Sequence, residues 1–296
     1  MRVADSQVFN TLFGNMQRTR SRILVAQEQI SSQKRLLKPS DDPSSFGQVL
    51  AGRTELSRNE QWSRNIQFGR QRLELADGTL TQVTTLLIRV KELTVQAASG
   101  TTTAEQRATV AQEVRQLHRH LMQLANTELN GQRIFSGTKT DVAPYVLTAG
   151  DTVIYQGNGE RHVVEVGEGQ TIDDTMPGNQ VFSGPTANLF DSLRDLLASL
   201  EGNNQAGIEA GIGSLDQAMA QINNAQGQVG ALVNRMDVAG EWIARATELV
   251  TRTISDHEDA DLAKAISDLS RHELALEATN ATLSRMFTTS LLNFLR

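Results

Sequence analysis

Lys38-Pro39-Ser40-Asp41-Asp42-Pro43 sets the organisation of the chain, because within six residues it closes one helix and opens another. Pro39 disfavours helical geometry in Lys38 and removes a backbone donor, so the spacing predicts a helix that runs up to Lys38 and stops there. Asp42 is a favourable N-cap. Pro43 suits the first helical position, where a missing N–H costs nothing, and Asp41 adds negative charge beside the positive helix end. Capping is a better account of Asp41 and Asp42 than paired acid–base carboxylates, given their position between two prolines at a helix start. The other prolines are Pro144, Pro177 and Pro185, so the tracts on either side of this stretch are free of helix breakers.

Upstream, Leu12, Met16, Thr19, Ile23, Ala26, Ile30, Gln33 and Leu37 alternate in steps of four and three, a heptad seam in which one row is weakly apolar. Downstream, Val49, Leu56, Ile66, Leu73, Ala76, Leu80, Val83, Leu87, Val90 and Ala97 keep a heptad register to about Ala98. That helix would be about 80 Å long at 1.5 Å per residue. Thr102 or Thr103 then caps a third helix striped by Val110, Val114, Leu117, Leu121 and Leu124, with its end expected near Asn130-Gly131.

From Phe135 to Pro185 the period changes. Tyr145–Leu147, Val153–Tyr155, His162–Val166 and Val181-Phe182 are short β-type runs separated by glycine-containing turns, which predicts a small all-β insert that leans on the helices carrying it. Helix returns at Asn188, pauses at Gly202-Asn203-Asn204 and continues to the C-terminus. Its apolar stripe is expected to include Val229, Leu232, Trp242 and Leu249, with Trp242 in the core and Trp62 beside the seam. The last part carries Leu262, Ile266, Leu269, Glu273, Leu276, Asn280, Leu283 and Phe287 at alternating steps of four and three. Two weak seams at opposite ends of the chain suggest one pairing, since each supplies the surface the other lacks. The expected fold is mainly α: an elongated helical bundle or coiled coil with N- and C-terminal helices paired, plus a small all-β insert domain.

Composition excludes several functions. The 296 residues include no cysteine and carry a formal charge of −6, against a disulfide scaffold and against a general nucleic-acid binder. The seven basic residues among 1–38 face only Asp5 and Glu28, a distribution better read as a solvated helix face than as a phosphate site. No apolar run resembles a cleaved signal or a membrane span. His118 and His120 lie two apart on a helix and do not share a face, and His257 with Asp261 offers too few ligands for a metal. Gly157-Asn158-Gly159, Gly167-Glu168-Gly169 and Gly207–Gly213 lack the strand-to-helix context of a phosphate loop. No nucleophile elbow or catalytic set assembles, and neither a metal nor another cofactor is expected.

Four segments together carry a resemblance: Met1-Arg2-Val3 with the amphipathic start from Gln7 to Met16, Pro39–Pro43, Asn130-Gly131-Gln132-Arg133-Ile134-Phe135-Ser136-Gly137-Thr138, and Ser290-Leu291-Leu292-Asn293-Phe294-Leu295-Arg296. The chain resembles the bacterial flagellin superfamily, and within it the hook–filament junction type more than filament flagellins, which usually have an alanine-rich counterpart of Pro43-Ser44-Ser45. The resemblance implies a non-enzymatic extracellular subunit of the flagellum, exported unfolded through the type III apparatus without signal cleavage and escorted by a chaperone. It also implies self-association into a ring or short helical zone, between a hook-side junction protein and flagellin filament subunits.

The expected division is 1–38 with 255–296 as an inner terminal coiled coil, 39–134 with 188–254 as a central helical bundle, and 135–187 as a small outer β domain. Leu12, Met16, Ile23, Ile30 and Leu37 would pack with Leu269, Leu276, Leu283, Leu291, Leu292, Phe294 and Leu295 during assembly. Pro39, Asp41, Asp42 and Pro43 would form a capped hinge, and Asn130 and Gly131 the turn into the insert. Two alternatives are a short filament flagellin and, from a different class, a type III secreted adhesin or binding module using the insert.

Overall fold

The computed structural model describes residues 2–148, 152–184 and 187–294, with side chains described at Gln7, from Asn10 to Arg285 apart from the two internal gaps, and not beyond. Its elements are α1 (Arg2–Ser32), α2 (Pro43–Ala98), α3 (Ala104–Ala125), β1 (Glu128–Leu129), β2 (Gln132–Arg133), β3 (Tyr145–Leu147), β4 (Val153–Tyr155), β5 (Val163–Gly167), β6 (Gln170–Asp173), α4 (Gly178–Val181), α5 (Leu189–Glu201), α6 (Gln205–Glu258) and α7 (Leu262–Phe294). They form two compact units, one of residues 1–58 with 247–296 and one of residues 59–246.

In the larger unit, α2, α3, α5 and α6 surround one apolar core. Ile66, Leu73, Ala76, Leu80, Val83, Leu87, Val90 and Ala97 of α2 are all buried, so the heptad reading of this helix selects the core face. Thr103 and Gln106 make a reciprocal capping box at the start of α3. Asn188 caps α5 through the Phe190 and Asp191 amides. Buried Arg107 closes the end of α2. Its Nε donates to the Ala97 carbonyl (2.9 Å), and the rest of its guanidinium reaches the Ser99 carbonyl and the Asn203 side chain.

The insert holds two antiparallel hairpins, β3–β4 and β5–β6, together with the single turn of α4, and a third hairpin, β1–β2, immediately precedes it. Phe135, Tyr145, Val166, Ile172, Met176, Val181 and Phe182 belong to the same core as the helices. Few aromatics serve the whole chain, and they concentrate here: Phe135 meets Phe182 edge-on at 5.1 Å, and Tyr145 packs on Phe190 at 4.7 Å. Asn126 fastens β3 to the end of α3 by exchanging two hydrogen bonds with the Tyr145 backbone. Gly137 has φ 72°, and a Cβ there would lie 2.5 Å from the Asn158 carbonyl oxygen, so the Phe135–Thr138 passage needs glycine.

Several expectations are corrected. α3 ends at Ala125, not near Asn130-Gly131. Those two residues, with φ of 51° and 79°, form the two-residue turn of the β1–β2 hairpin, where positive φ at both positions matches strand twist. Val181-Phe182 is not a strand. Val181 ends α4 and Phe182 closes it, both fully buried. Trp242 is 59% exposed and Leu249 also faces solvent, because the buried stripe of α6 runs through Met236, Ile243 and Val250.

Candidate assembly surfaces

In the smaller unit α1 packs along α7. α1 ends and α7 begins at one joint, so the two helices run antiparallel. On α1, Ile23 and Ala26 are buried, and Leu12, Met16, Thr19 and Ile30 are half-buried, following the heptad spacing. On α7, Ala265 is buried and Leu269, His272, Leu276, Thr279 and Leu283 are half-buried. The second row of that seam is therefore Ala265, His272 and Thr279. It lies one residue away from the expected row of Ile266, Glu273 and Asn280, all of which are exposed. The side chains of Leu291, Leu292 and Phe294, and Leu295 altogether, lie outside the described residues. Two helices alone leave this seam half open, and Phe13, Leu24, Val25, Ile266 and Leu274 face solvent on the outer sides.

The joint is built from two chain reversals held together by backbone. α1 ends at Ser32, earlier than Lys38, because Gln33 turns into the left-handed region at φ 59° and sends Lys34 to Lys38 off as non-helical chain. Leu37 is consequently outside the helix, and its neighbour Leu36 is the buried residue. Lys34 bridges Asp259, the amide of Arg35 donates to the Glu258 carbonyl (2.7 Å), and that of Ala260 to the Gln33 carbonyl (2.9 Å). Asp42 caps α2 by accepting from the Ser45 amide (3.1 Å) and hydroxyl (2.6 Å). These bonds hold its carboxyl below the usual value. Asp41 does something different from adding charge to that helix end. Its carboxylate accepts from the amides of Leu37 and Lys38, closing the turn that contains Pro39 and Ser40.

Glu258 was not singled out by sequence, and it is the centre of the joint. Its carboxylate is 8% exposed and accepts from Lys34 Nζ (2.5 Å) and Arg53 (2.6 Å). Burial pushes this carboxyl up, but the bonds from Lys34 and Arg53 outweigh burial and hold it below its ordinary 4.5. Gly52 lets Ile254 and Val250 approach α2, and a Cβ there would lie 2.9 Å from Ile254. Asp261 caps α7 through the Lys264 amide (3.0 Å). An aspartate just before the apolar period resumes at Leu262 was the available signal for that break.

In the larger unit one buried ion pair ties the insert to α2. Arg72 meets Asp174 at 3.3 Å with both side chains almost fully buried, and His162 Nδ1 lies 2.6 Å from the second Asp174 oxygen. Phe68 covers the Arg72 guanidinium at 5.8 Å. Among the described residues no group of histidines and acids could hold a metal ion, and no helix is long and apolar enough to cross a membrane.

Comparisons agree with this architecture. Residues 6–140 match the bacterial flagellin N-terminal helical region, and residues 212–295 match the bacterial flagellin C-terminal helical region. The flagellar hook-associated protein 3 of Escherichia coli K12 is 28% identical over 280 residues, covering 88% of each chain. That of Salmonella typhimurium LT2 is 27% identical over 318 residues, covering 97% of each. A solved flagellar hook-associated protein from Vibrio parahaemolyticus is 25% identical and superposes with a TM-score of 0.69, covering 74% of this chain and all of its own. The two matched regions contain both helices of the α1–α7 pair, and the chain belongs to the bacterial flagellin family. It is a structural part of the flagellum that interacts with other flagellar components, not an enzyme, and its similarity extends over nearly the full length of the hook-associated proteins.

Proposed function

We propose that this subunit joins hook to filament. It self-associates through α1 and α7 into a ring or short helical zone, with a hook-side junction protein on one side and flagellin on the other. The observation that carries the reading is the antiparallel α1–α7 pair, whose apolar seam stays half open. A neighbouring copy supplies the missing cover, and the resemblance to hook-associated proteins supports the hook tip as the place where copies meet. Extracellular location, unfolded export without signal cleavage and an escorting chaperone follow from the same reading. So does the three-part division, with the Pro39–Pro43 turn as a hinge and Leu291, Leu292, Phe294 and Leu295 completing the terminal seam.

Immunogold labelling of isolated flagella tests the proposal. A short labelled zone at the hook tip is the expected result, and label along the whole filament would replace it with the short-flagellin reading. Truncation from Leu291 onward should abolish incorporation and leave the larger unit folded. The insert shares its core with the helices, which favours a subunit built as one structure over a detachable binding module.

A further inference from the structure

On the larger unit, the β5–β6 hairpin and α6 enclose an open groove of about 760 Å³ lined by Val166, Ile172, Arg235, Val238, Ala239 and Trp242. Trp242 is 59% exposed and Val238 68%, so this is a large apolar surface with nothing of its own unit upon it. Contiguous exposed apolar surface of this kind marks contact sites. On α6 the acids beside the groove are already engaged, Asp237 by Arg70 (3.2 Å) and Glu241 by Arg245 (3.1 Å). Arg235 has no acidic partner among the described residues, so the groove presents one open cation beside a tryptophan.

A surface of opposite character lies on α2. Ile88, Glu92 and Val95 follow one another at helical spacing, all exposed. Glu92 shares Arg89 with Glu113, at 3.3 and 2.8 Å, so two carboxylates divide one cation and the stripe keeps a net negative charge. Within this unit α2 and α6 are antiparallel: Gly240 faces Ile66, and Lys91 Nζ meets Asp216 at 2.5 Å. Trp242 is thus level with the start of the unit's α2 segment, and Val95 lies about 30 residues, or about 45 Å, further along. An apolar groove with a free cation at one end and an apolar stripe with a surplus acid at the other are complementary, and they cannot meet within one molecule.

We propose that the Trp242 groove receives the Ile88–Glu92–Val95 stripe of a second copy of this chain, a head-to-tail contact with Arg235 opposite Glu92. Two different surfaces on one subunit make a heterologous contact, which propagates into a ring or helical zone and does not stop at a dimer. The proposal rests on the self-association reading above and assigns it a second contact, separate from the terminal helices.

The chain has no cysteine, so introduced thiols are unique. The combined variant Trp242→Cys, Val95→Cys, assembled into flagella and oxidised, should give a ladder of covalent multimers, because a disulfide needs Cα atoms within about 7 Å. Either single variant should stay monomeric. Dimers from Trp242→Cys alone would show a two-fold contact and overturn the proposal, as would flagella that contain the double variant without any ladder. The charge pair is tested separately. Arg235→Glu and Glu92→Arg should each lower incorporation about tenfold, and the two together should restore it; unaffected single variants, or a failed restoration, count against the contact. A missing ladder with label confined to the hook tip removes this contact and leaves the junction reading standing. Label along the whole filament removes the junction reading whether or not the ladder forms.

Discussion

Replacing Glu258 by alanine should loosen the joint between α1, α2, α6 and α7 while leaving the larger unit intact. The carboxylate accepts two charged hydrogen bonds, and such bonds contribute about 1.5–3 kcal/mol each when fully sheltered. Both donors are close to half-exposed, 43% for Lys34 and 53% for Arg53, and water replaces much of what they lose. A discounted value of about 0.5–1 kcal/mol per bond, near the range for exposed pairs, gives about 1–2 kcal/mol in all. The backbone bonds to the Glu258 carbonyl survive the substitution, so the joint opens more often but does not disappear.

Hydrogen exchange of the Arg35 and Leu36 amides is the direct assay. At pH 7 both should exchange about tenfold faster in Glu258→Ala, since about 1.4 kcal/mol corresponds to a factor of ten. The pH dependence adds a second condition. Because the folded carboxyl titrates below its ordinary 4.5, its contribution is complete above that value and disappears as pH falls through the lower folded value. Wild type and variant should therefore converge on acidification. Equal exchange at pH 7, or a gap that survives undiminished at strongly acidic pH, would refute the assignment of Glu258 as the centre of the joint.

Three further outcomes are expected. Arg72→Met leaves the Asp174 carboxylate buried beside His162 without its guanidinium and should destabilise the larger unit by about 3–5 kcal/mol in denaturant unfolding, whereas Arg72→Met with Asp174→Leu should cost much less; equal losses would show that packing, not charge, dominates there. Gly131→Val places a β-branched residue at φ 79° and should lower the melting temperature, while Gly131→Asn, which tolerates that region, should be mild. Burial pushes Tyr155 up to about 12 and Tyr145 higher still, and these are the only tyrosines. Their folded values exceed the unfolded value of 10, so stability around the insert holds below pH 10 and falls as pH rises further. A tyrosinate absorbance step near pH 10 in the folded protein would contradict this.

The helices were legible where their stripes were strong. Along α2 the heptad positions from Ile66 to Ala97 point into the core, because a long unbroken heptad selects one face, and Ile88 and Val95, which lie off that register, stay exposed. On α7 and around Trp242 the buried row lies one residue away from the one the heptad spacing selects. There apolar residues occur on two adjacent rows, Ala265 beside Ile266 and Ile243 beside Trp242, and sequence does not say which row meets a partner. A proline marks a helix end only loosely: Pro39 disfavours helix at its immediate neighbour, and the chain turns earlier, at Gln33, where its amides can reach Glu258. Glu258, Arg107 and the Arg72–Asp174 pair were invisible because their meaning depends on partners far away in the chain.

That distance also orders how the molecule comes together. Arg35 bonds the backbone of His257, 222 residues later, and Lys34 bonds the side chain of Glu258. Contacts spanning so much chain close only after their loop-closure entropy has been overcome, and shorter-range helices and hairpins have no such wait. The larger unit, whose residues are contiguous from 59 to 246, has all its partners as soon as that segment is present. α1 must wait for α7, so a helix that emerges well before its partner is among the last to be finished, and until then its apolar row is available to whatever accompanies the chain.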